Sequence, residues 1–227
     1  MTDRERKLVQ HLSQFVSDHK KETIEQVLAN RTRHVTVVLE DIFQSQNASA
    51  VVRTCECMGV QDIHIIETKA KYDINIRVLK GSNKWMDIVR YRKKNEDNIA
   101  TCFSQLKEKG YRILVADPSP EGTSIHDVEV TSQKIALVFG NELRGLSTFA
   151  WDQADEKVRI PMVGFTESLN ISVSVAISLN VLIKKLKDSG GDYGLSSAEK
   201  EELRLAWYRK IVRRSDTLER EFLRTIQ

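Results

Sequence analysis

The run I-A-L-V-F-G-N-E-L-R-G-L-S at residues 135–147 decides how the rest of the chain is read, together with V-R-I-P-M at 158–162, V-G-F-T-E-S-L-N at 163–170 and the apolar segment that continues to residue 186. Its first six residues are apolar and end on a glycine, the pattern of a short buried strand. N-E-L-R-G-L-S is then a turn, and V-R-I-P-M a second short strand. Asn141, Glu142, Ser168 and Asn170 fall where strands stop and loops begin, the edge at which open α/β sheets keep their sites. After Asn170 two readings compete. Ile171, Val173, Val175, Ile177, Leu179 and Val181 alternate with smaller residues, a period of two that fits a strand. An unbroken run of about 17 residues is too long for one. Ser168, Ser172, Ala176 and Asn180 also form a small-residue stripe at i+4, and Lys184, Lys185 and Lys187 before Gly190-Gly191 close the segment as a helix closes. The length and the ending predict a helix.

Upstream, V-T-V-V-L-E (35–40), I-H-I-I-E (63–67) and Y-R-I-L-V-A-D (111–117) read as further buried strands. Between them lie helical patterns, one over residues 48–59 stopped by Gly59 and one over 99–110 stopped by Gly110, while Pro118, Pro120 and Gly122 mark a loop. This alternation predicts an α/β fold, a parallel sheet with helices on both faces. Residues 3–30 carry Leu8, Leu12, Phe15, Ile24, Val27 and Leu28 near helical spacing and read as one amphipathic helix. At the other end, G-G-D-Y-G-L-S-S is a linker, and Ser196 with Glu199 is a capping box that opens a final helix. The expected organisation is an N-terminal helical extension at 1–33, a catalytic domain at 34–188 and a C-terminal helical extension at 189–227.

A chain of 227 residues with 41% hydrophobic and 30% charged residues is ordinary for a globular protein. The longest apolar run is broken by Ser174, Ser178 and Asn180, short of the roughly 20 apolar residues of a membrane span. The N-terminus is charged and lacks the apolar core of a signal peptide, so the expected compartment is cytoplasmic, with no membrane association. Cys55, Cys57 and Cys102 are read as free thiols. The five histidines show no metal-ligand spacing, and no metal is expected. A net charge of +3 hides an uneven distribution: residues 69–94 hold nine basic residues against Asp73 and Asp87, a net of +7, which leaves −4 for the remainder. With Tyr72, Trp85 and Tyr91 interleaved, that segment is either a solvated basic surface or a footprint for phosphates and stacked bases, with Lys84, Arg90 and Arg92 the expected RNA contacts. The tail is closer to balance, with six acids against eight bases from residue 199 onward, and reads equally as a docked helix or an RNA contact.

Several chemistries fail on their motifs. Gly140 and Gly145 have phosphate-loop spacing, but Leu146-Ser147 stands where Lys-Ser/Thr is required; G-x-G-x-x-G after a strand and G-x-S-x-G are both absent. What remains is a set of polar residues at strand ends: Asn47 and Arg53, Asn141 and Glu142, Ser168 and Asn170. Three stretches carry them in order: N-A-S-A-V-V-R-T-C-E-C-M-G (47–59), F-G-N-E-L-R-G-L-S (139–147) and I-P-M with S-L-N-I-S-V-S-V-A (160–176). Together they resemble the three motifs of the SPOUT methyltransferases, within these the TrmH-type tRNA guanosine 2′-O-methyltransferases. The likeness extends to G-S-N-K-W-M-D (81–87) and to both terminal helices, and the chain leaves no room for the separate RNA-binding domain common in ribosomal RNA relatives.

That resemblance implies a C-terminal deep trefoil knot, an exception to unknotted connectivity, in which Pro118, Gly140, Ile160, Met162 and Leu169 hold S-adenosylmethionine largely through backbone groups. It implies a homodimer with the site at the subunit interface and tRNA as partner. The reaction implied is methyl transfer to the ribose 2′-OH of a D-loop guanosine. Arg53 matches the family's catalytic Arg. A guanidinium is a poor base, so its expected work is to orient the ribose and a neighbouring phosphate. Asn47, Glu142, Ser168 and Asn170 are the other catalytic candidates, positioning Arg53, the ribose or the loop under the methionine moiety. Ser174 stands where the family commonly has Ala. Alternatives are 2′-O-methylation of another tRNA position or of ribosomal RNA, and a non-catalytic RNA-binding factor of the same fold.

Overall fold

A computed structural model describes residues 1–69, 71–73 and 75–225. In chain order the elements are α1 (Asp3–Ser13), α2 (Asp18–Ala29), β1 (Val35–Glu40), α3 (Ser45–Cys57), β2 (Asp62–Ile66), α4 (Ile76–Leu79), β3 (Asp87–Tyr91), α5 (Asn98–Glu108), β4 (Tyr111–Ala116), β5 (Thr123–Ser124), β6 (Lys134–Phe139), α6 (Thr148–Gln153), β7 (Glu156–Arg159), α7 (Ile171–Asp188), α8 (Ser197–Ile211) and α9 (Ser215–Thr225). They divide into two compact units, residues 33–193 and residues 1–32 with 194–227.

In the larger unit the strands form one parallel sheet, seven among the described residues, in the order β3-β2-β1-β6-β4-β7-β5. β1 lies between β2 and β6, in register Val37↔Ile63 and Val37↔Leu137, and all six of its residues are buried. The period of two then sorts its side chains between two cores. Val35, Val37 and Leu39 join Ile135, Leu137 and Phe139 of β6 under Val51, Val52 and Cys55 of α3 and Val175, Leu179 and Leu182 of α7. Val38 joins Ala136 and Val138 on the opposite face, under Cys102, Phe103 and Leu106 of α5 and Ala150 of α6. Thr36 is fully buried, yet its hydroxyl donates to the Asp62 carbonyl at 2.8 Å, so its burial leaves no donor unsatisfied. Helices thus cover both faces, as the alternation of elements predicts.

The segment with two competing readings is helix α7. Asn170 caps it, its Oδ1 accepting from the Ser172 N–H at 2.9 Å. Ile171, Val175, Leu179, Leu182 and Leu186 form its buried face while Val173 is exposed, so helical phase overrides the alternation. Strand β7 stops at Arg159, before Pro161, which has no N–H to offer a ladder. The basic segment contains more structure than its sequence suggests: α4, a 3-10 turn at Ser82–Lys84 and the sheet-edge strand β3.

In the smaller unit, the single helix expected over 3–30 is two. Leu8 and Leu12 are the buried residues of α1, and Ile24 and Leu28 those of α2. At about 100° per residue the step from Leu12 to Ile24 leaves the two stripes roughly 120° out of phase, so one straight helix could not bury both on one face. The final helix is also two, α8 and α9, separated at Arg214, which has a φ of 57°. The Ser196–Glu199 capping box opens α8 as expected. The terminal segments, read from the sequence as two flanking extensions, form this one unit together. Arg31, 1% exposed, lies under Trp207 with its guanidinium 5.7 Å from the ring, and Glu25 accepts two 2.6 Å hydrogen bonds from Arg204. Among the described residues no helix is long and apolar enough to cross a membrane.

Candidate active site

The C-terminal ends of β4, β6 and β7 and the first turns of α3 and α7 enclose a cavity of about 680 Å³. It lies where the strand order changes direction, with β6 inserted between β1 and β4, the position at which open parallel sheets form a crevice.

Each wall follows from local sequence. After β6 the N-E-L-R-G turn closes on itself: Asn141 and Gly145 exchange backbone hydrogen bonds of 3.0 and 2.8 Å, and Asn141 Oδ1 accepts from the N–H groups of Leu143 and Arg144. Gly145 takes a left-handed φ of 68° to make that closure. Gly140 is required for a different reason, since a Cβ there would lie 2.4 Å from the Gly145 carbonyl carbon. Asn141 Nδ2 donates to the Asp41 carbonyl at 2.6 Å, which fastens the turn to the end of β1. Beneath it the Glu40 carboxylate, 4% exposed, accepts from the Ser147 N–H at 3.3 Å. Burial pushes the Glu40 carboxyl above the ordinary carboxylate range, against the pull of the Ser147 hydrogen bonds.

The turn delivers Glu142 to α3. Its Oε1 accepts from Asn47 Nδ2 at 2.9 Å and its Oε2 from the Phe43 N–H at 3.1 Å. Asn47 Oδ1 in turn accepts from Asn170 Nδ2 at 3.1 Å. Residues 142, 47 and 170, from three separate parts of the chain, thereby form one hydrogen-bonded line along the cavity. Ser168 and Leu169 continue the wall before α7, Ile160 and Met162 supply the segment after β7, and Pro118 follows β4. Nine of the ten catalytic and cofactor residues expected from the sequence therefore border one cavity.

Arg53 does not line it. Six residues beyond Asn47 on α3, it points from the exposed side of the helix, with Nη1 3.5 Å from the Val78 carbonyl. Lys84 and Arg92 are exposed. Arg90, expected from the sequence to meet RNA, is half-buried and paired within the fold: it makes two 2.7 Å hydrogen bonds to Glu67, donates to the Tyr72 carbonyl at 3.1 Å and lies over the Tyr72 ring. Burial alone would push Glu67 up, but Arg90 and the Tyr72 N–H hold it below its ordinary value.

Sequence reasoning missed Glu40, Asp117, Arg144, Trp151 and Arg159, the last four of which line the cavity. Glu40 and Asp117 carry a usable signal, an acid where a mostly apolar strand ends. Ser174 and Ser178 on α7 also face the cavity, outside the stripe of small residues that the sequence singles out.

The size suits a nucleoside-sized ligand. Ile125, Phe139, Ile160, Met162 and Leu169 offer an apolar slot for a base. Among the described residues the backbone N–H groups of Ile160, Met162 and Leu169 have no intramolecular partner, which leaves them to a ligand's acceptors. No group of three or more His, Cys, Asp or Glu side chains is placed to hold a metal ion among the described residues.

Comparison with known proteins identifies the family. Residues 34–180 match the model of the SpoU rRNA Methylase family. The chain is 44% identical over 208 residues to the tRNA (guanosine(18)-2′-O)-methyltransferase of Borreliella burgdorferi, covering 92% of this chain and 93% of that one. To the enzyme of the same name from Thermus thermophilus it is 31% identical, covering 72% and 81%. The crystal structure of the A. aeolicus TrmH/SpoU tRNA modifying enzyme superposes with a TM-score of 0.76 at 29% identity, over 87% of this chain and 98% of that one. By the extent of these matches, the chain belongs to the SpoU rRNA Methylase family.

Proposed function

We propose that the chain transfers a methyl group from S-adenosylmethionine to the ribose 2′-oxygen of guanosine 18 of tRNA. The observation that carries this reading is the cavity at the switch point of the sheet, bordered by the Glu142–Asn47–Asn170 line, in a chain 44% identical across nearly its whole length to an enzyme named for that reaction. Bound there, the cofactor supplies a methyl group already activated by the positive sulfonium.

The protein's part is then alignment and proton removal. The free N–H groups of Ile160, Met162 and Leu169 hold the adenine edge, with Pro118 and Gly140 shaping the loops on either side. The loops that bear Pro118, Gly140 and residues 160–169 form the trefoil knot of this fold. Ser168 and Asn170 order the segment beneath the methionine moiety. Glu142, fixed by Asn47, presents a carboxylate near the sulfonium side, where negative charge is favourable. Arg53 orients the ribose and a neighbouring phosphate, which helps accept the hydroxyl proton. Because Arg53 lies outside its own chain's cavity, it serves the cavity of a second copy in a homodimer. Exposed Phe43, Leu143, Val163, Phe165 and Val173 are the apolar surface such a partner covers.

Methyl transfer from labelled S-adenosylmethionine to unmodified tRNA transcripts, with mapping of the modified ribose, tests the reading. The expected product carries one 2′-O-methyl group, on guanosine 18. Modification confined to another tRNA position or to ribosomal RNA would replace the substrate, and no transfer to any RNA would leave a binding factor of the same fold.

A further inference from the structure

The basic residues between β2 and β3 form a surface that the cavity does not account for. Lys69, Lys71, Arg77 and Lys80 are exposed, and Asp73 is the only acid in residues 69–80. Among the described residues none of these four cations has an acidic partner within salt-bridge distance. The described backbone around them is held at several points. Asp41 Oδ1 accepts from the N–H groups of Thr68 and Lys69 at 2.7 and 2.8 Å, and Glu67 accepts from the Tyr72 N–H at 2.9 Å while Arg90 holds the Tyr72 carbonyl. Ser49 on α3 accepts from the Asn75 N–H at 3.0 Å, and Leu79 is buried in the core. Lys80 is held at a φ of 49°, a left-handed conformation that is unfavourable for a residue with a Cβ and persists where the surrounding structure imposes it.

The row also has defined ends. At Lys69 it begins beside Asp41, whose carbonyl anchors Asn141 at the cavity rim. At Val78 it reaches Arg53. Exposed cations with no acidic partner among the described residues, on a segment tied through Asp41 to the cavity rim and through Val78 to Arg53, suit a polyanion. We propose that Lys69, Lys71, Arg77 and Lys80 are a track for the ribose-phosphate backbone of the substrate tRNA, which sets the strand beside Arg53. This rests on the methyl-transfer reading above.

The test removes three charges together, as Lys71→Ala, Arg77→Ala and Lys80→Asn, the last because asparagine tolerates a left-handed backbone. Affinity for unmodified tRNA is measured over a range of salt, beside calorimetric affinity for S-adenosylmethionine and thermal stability. The variant is expected to bind tRNA about tenfold or more weakly, with the slope of log affinity against log salt shallower by about 2 and cofactor affinity unchanged. Should the triple variant not fold, Lys71→Ala alone is expected to reduce the slope by about 0.7. Unchanged affinity and slope in a variant of a protein that does bind tRNA would overturn the track and leave the methyl-transfer reading standing. If the unsubstituted protein binds no tRNA, both are overturned.

Discussion

Asn47 does what no other residue type of its size can do, because it faces an acceptor on one side and a donor on the other. Glu142 can only accept, which fixes the Asn47 amide with Nδ2 toward Glu142 Oε1 and Gln44 Oε1, and leaves Oδ1 to accept from Asn170. Asn47→Asp keeps the shape and the contact with Asn170 but sets two carboxylates face to face. We expect the substitution to lower stability by about 2–3 kcal/mol and to depress methyl transfer. The deficit should shrink on going from about pH 8 to about pH 5.5, since one carboxyl of such a pair takes a proton well above the ordinary carboxylate range. Thermal denaturation and single-turnover rates at the two pH values measure this. A variant as stable as its parent, or a deficit independent of pH, would show that the line does not couple residues 47 and 142. The polar members of the line were legible in the sequence because each interrupts an apolar pattern at a strand or helix end. The pairing of Arg90 was not legible for the opposite reason: a basic residue in a basic segment gives no sign of its partner, and Glu67 becomes that partner only once β2 and β3 pair with Ile65 beside Arg90.

At the scale of elements, length and the lysine- and glycine-rich ending placed the helix α7 against its own period of two, and short apolar runs placed the strands β1, β2, β4 and β6, whose burial is on two faces. The edge strand β3 was hidden, because its residues are only half buried for the most part and carry charge among the apolar positions. What secures it is a buried polar relay invisible to any pattern. His64 on β2 lies 3.0 Å from the Tyr91 hydroxyl on β3, which donates to Gln105 on α5 at 3.1 Å. Burial holds the His64 pKa down to about 4 against an ordinary 6.5, with Lys109 adding to the effect. Between those values the unfolded chain takes up a proton that the folded chain refuses. Stability is therefore complete above about 6.5 and drains as the pH falls through this window, by at most roughly 3 kcal/mol. His64→Gln retains a hydrogen-bonding group for Tyr91 without the titration, so its melting temperature is expected to fall less than the parent's between about pH 7 and about pH 4. Parallel curves for the two proteins would mean that His64 is not the group responsible.

At the scale of the whole molecule, one chain contains a complete cavity and an arginine that faces away from it. The geometry of α3 enforces this, since residues six apart on a helix are turned roughly 240° from each other, so Asn47 and Arg53 cannot serve the same side. The separation was implicit in the sequence once the stretch is read as a helix, although the motif lists both residues together. A homodimer reconciles them if each cavity is completed by the other copy's arginine, and subunit mixing distinguishes this from action within one chain. Arg53→Ala leaves the cavity intact. Gly140→Ala leaves Arg53 intact but puts a Cβ against the backbone of Gly145 and Leu146, so the turn that carries Glu142 has to move. Each variant alone is expected to be inactive. Refolded or co-expressed in equal amounts, half of the dimers combine the two chains, and in each of these the intact cavity meets an intact Arg53 while the other site lacks both. The mixture should then recover about one quarter of the parent activity. Action within one chain predicts no recovery, since every intact cavity would still be paired with an alanine at 53.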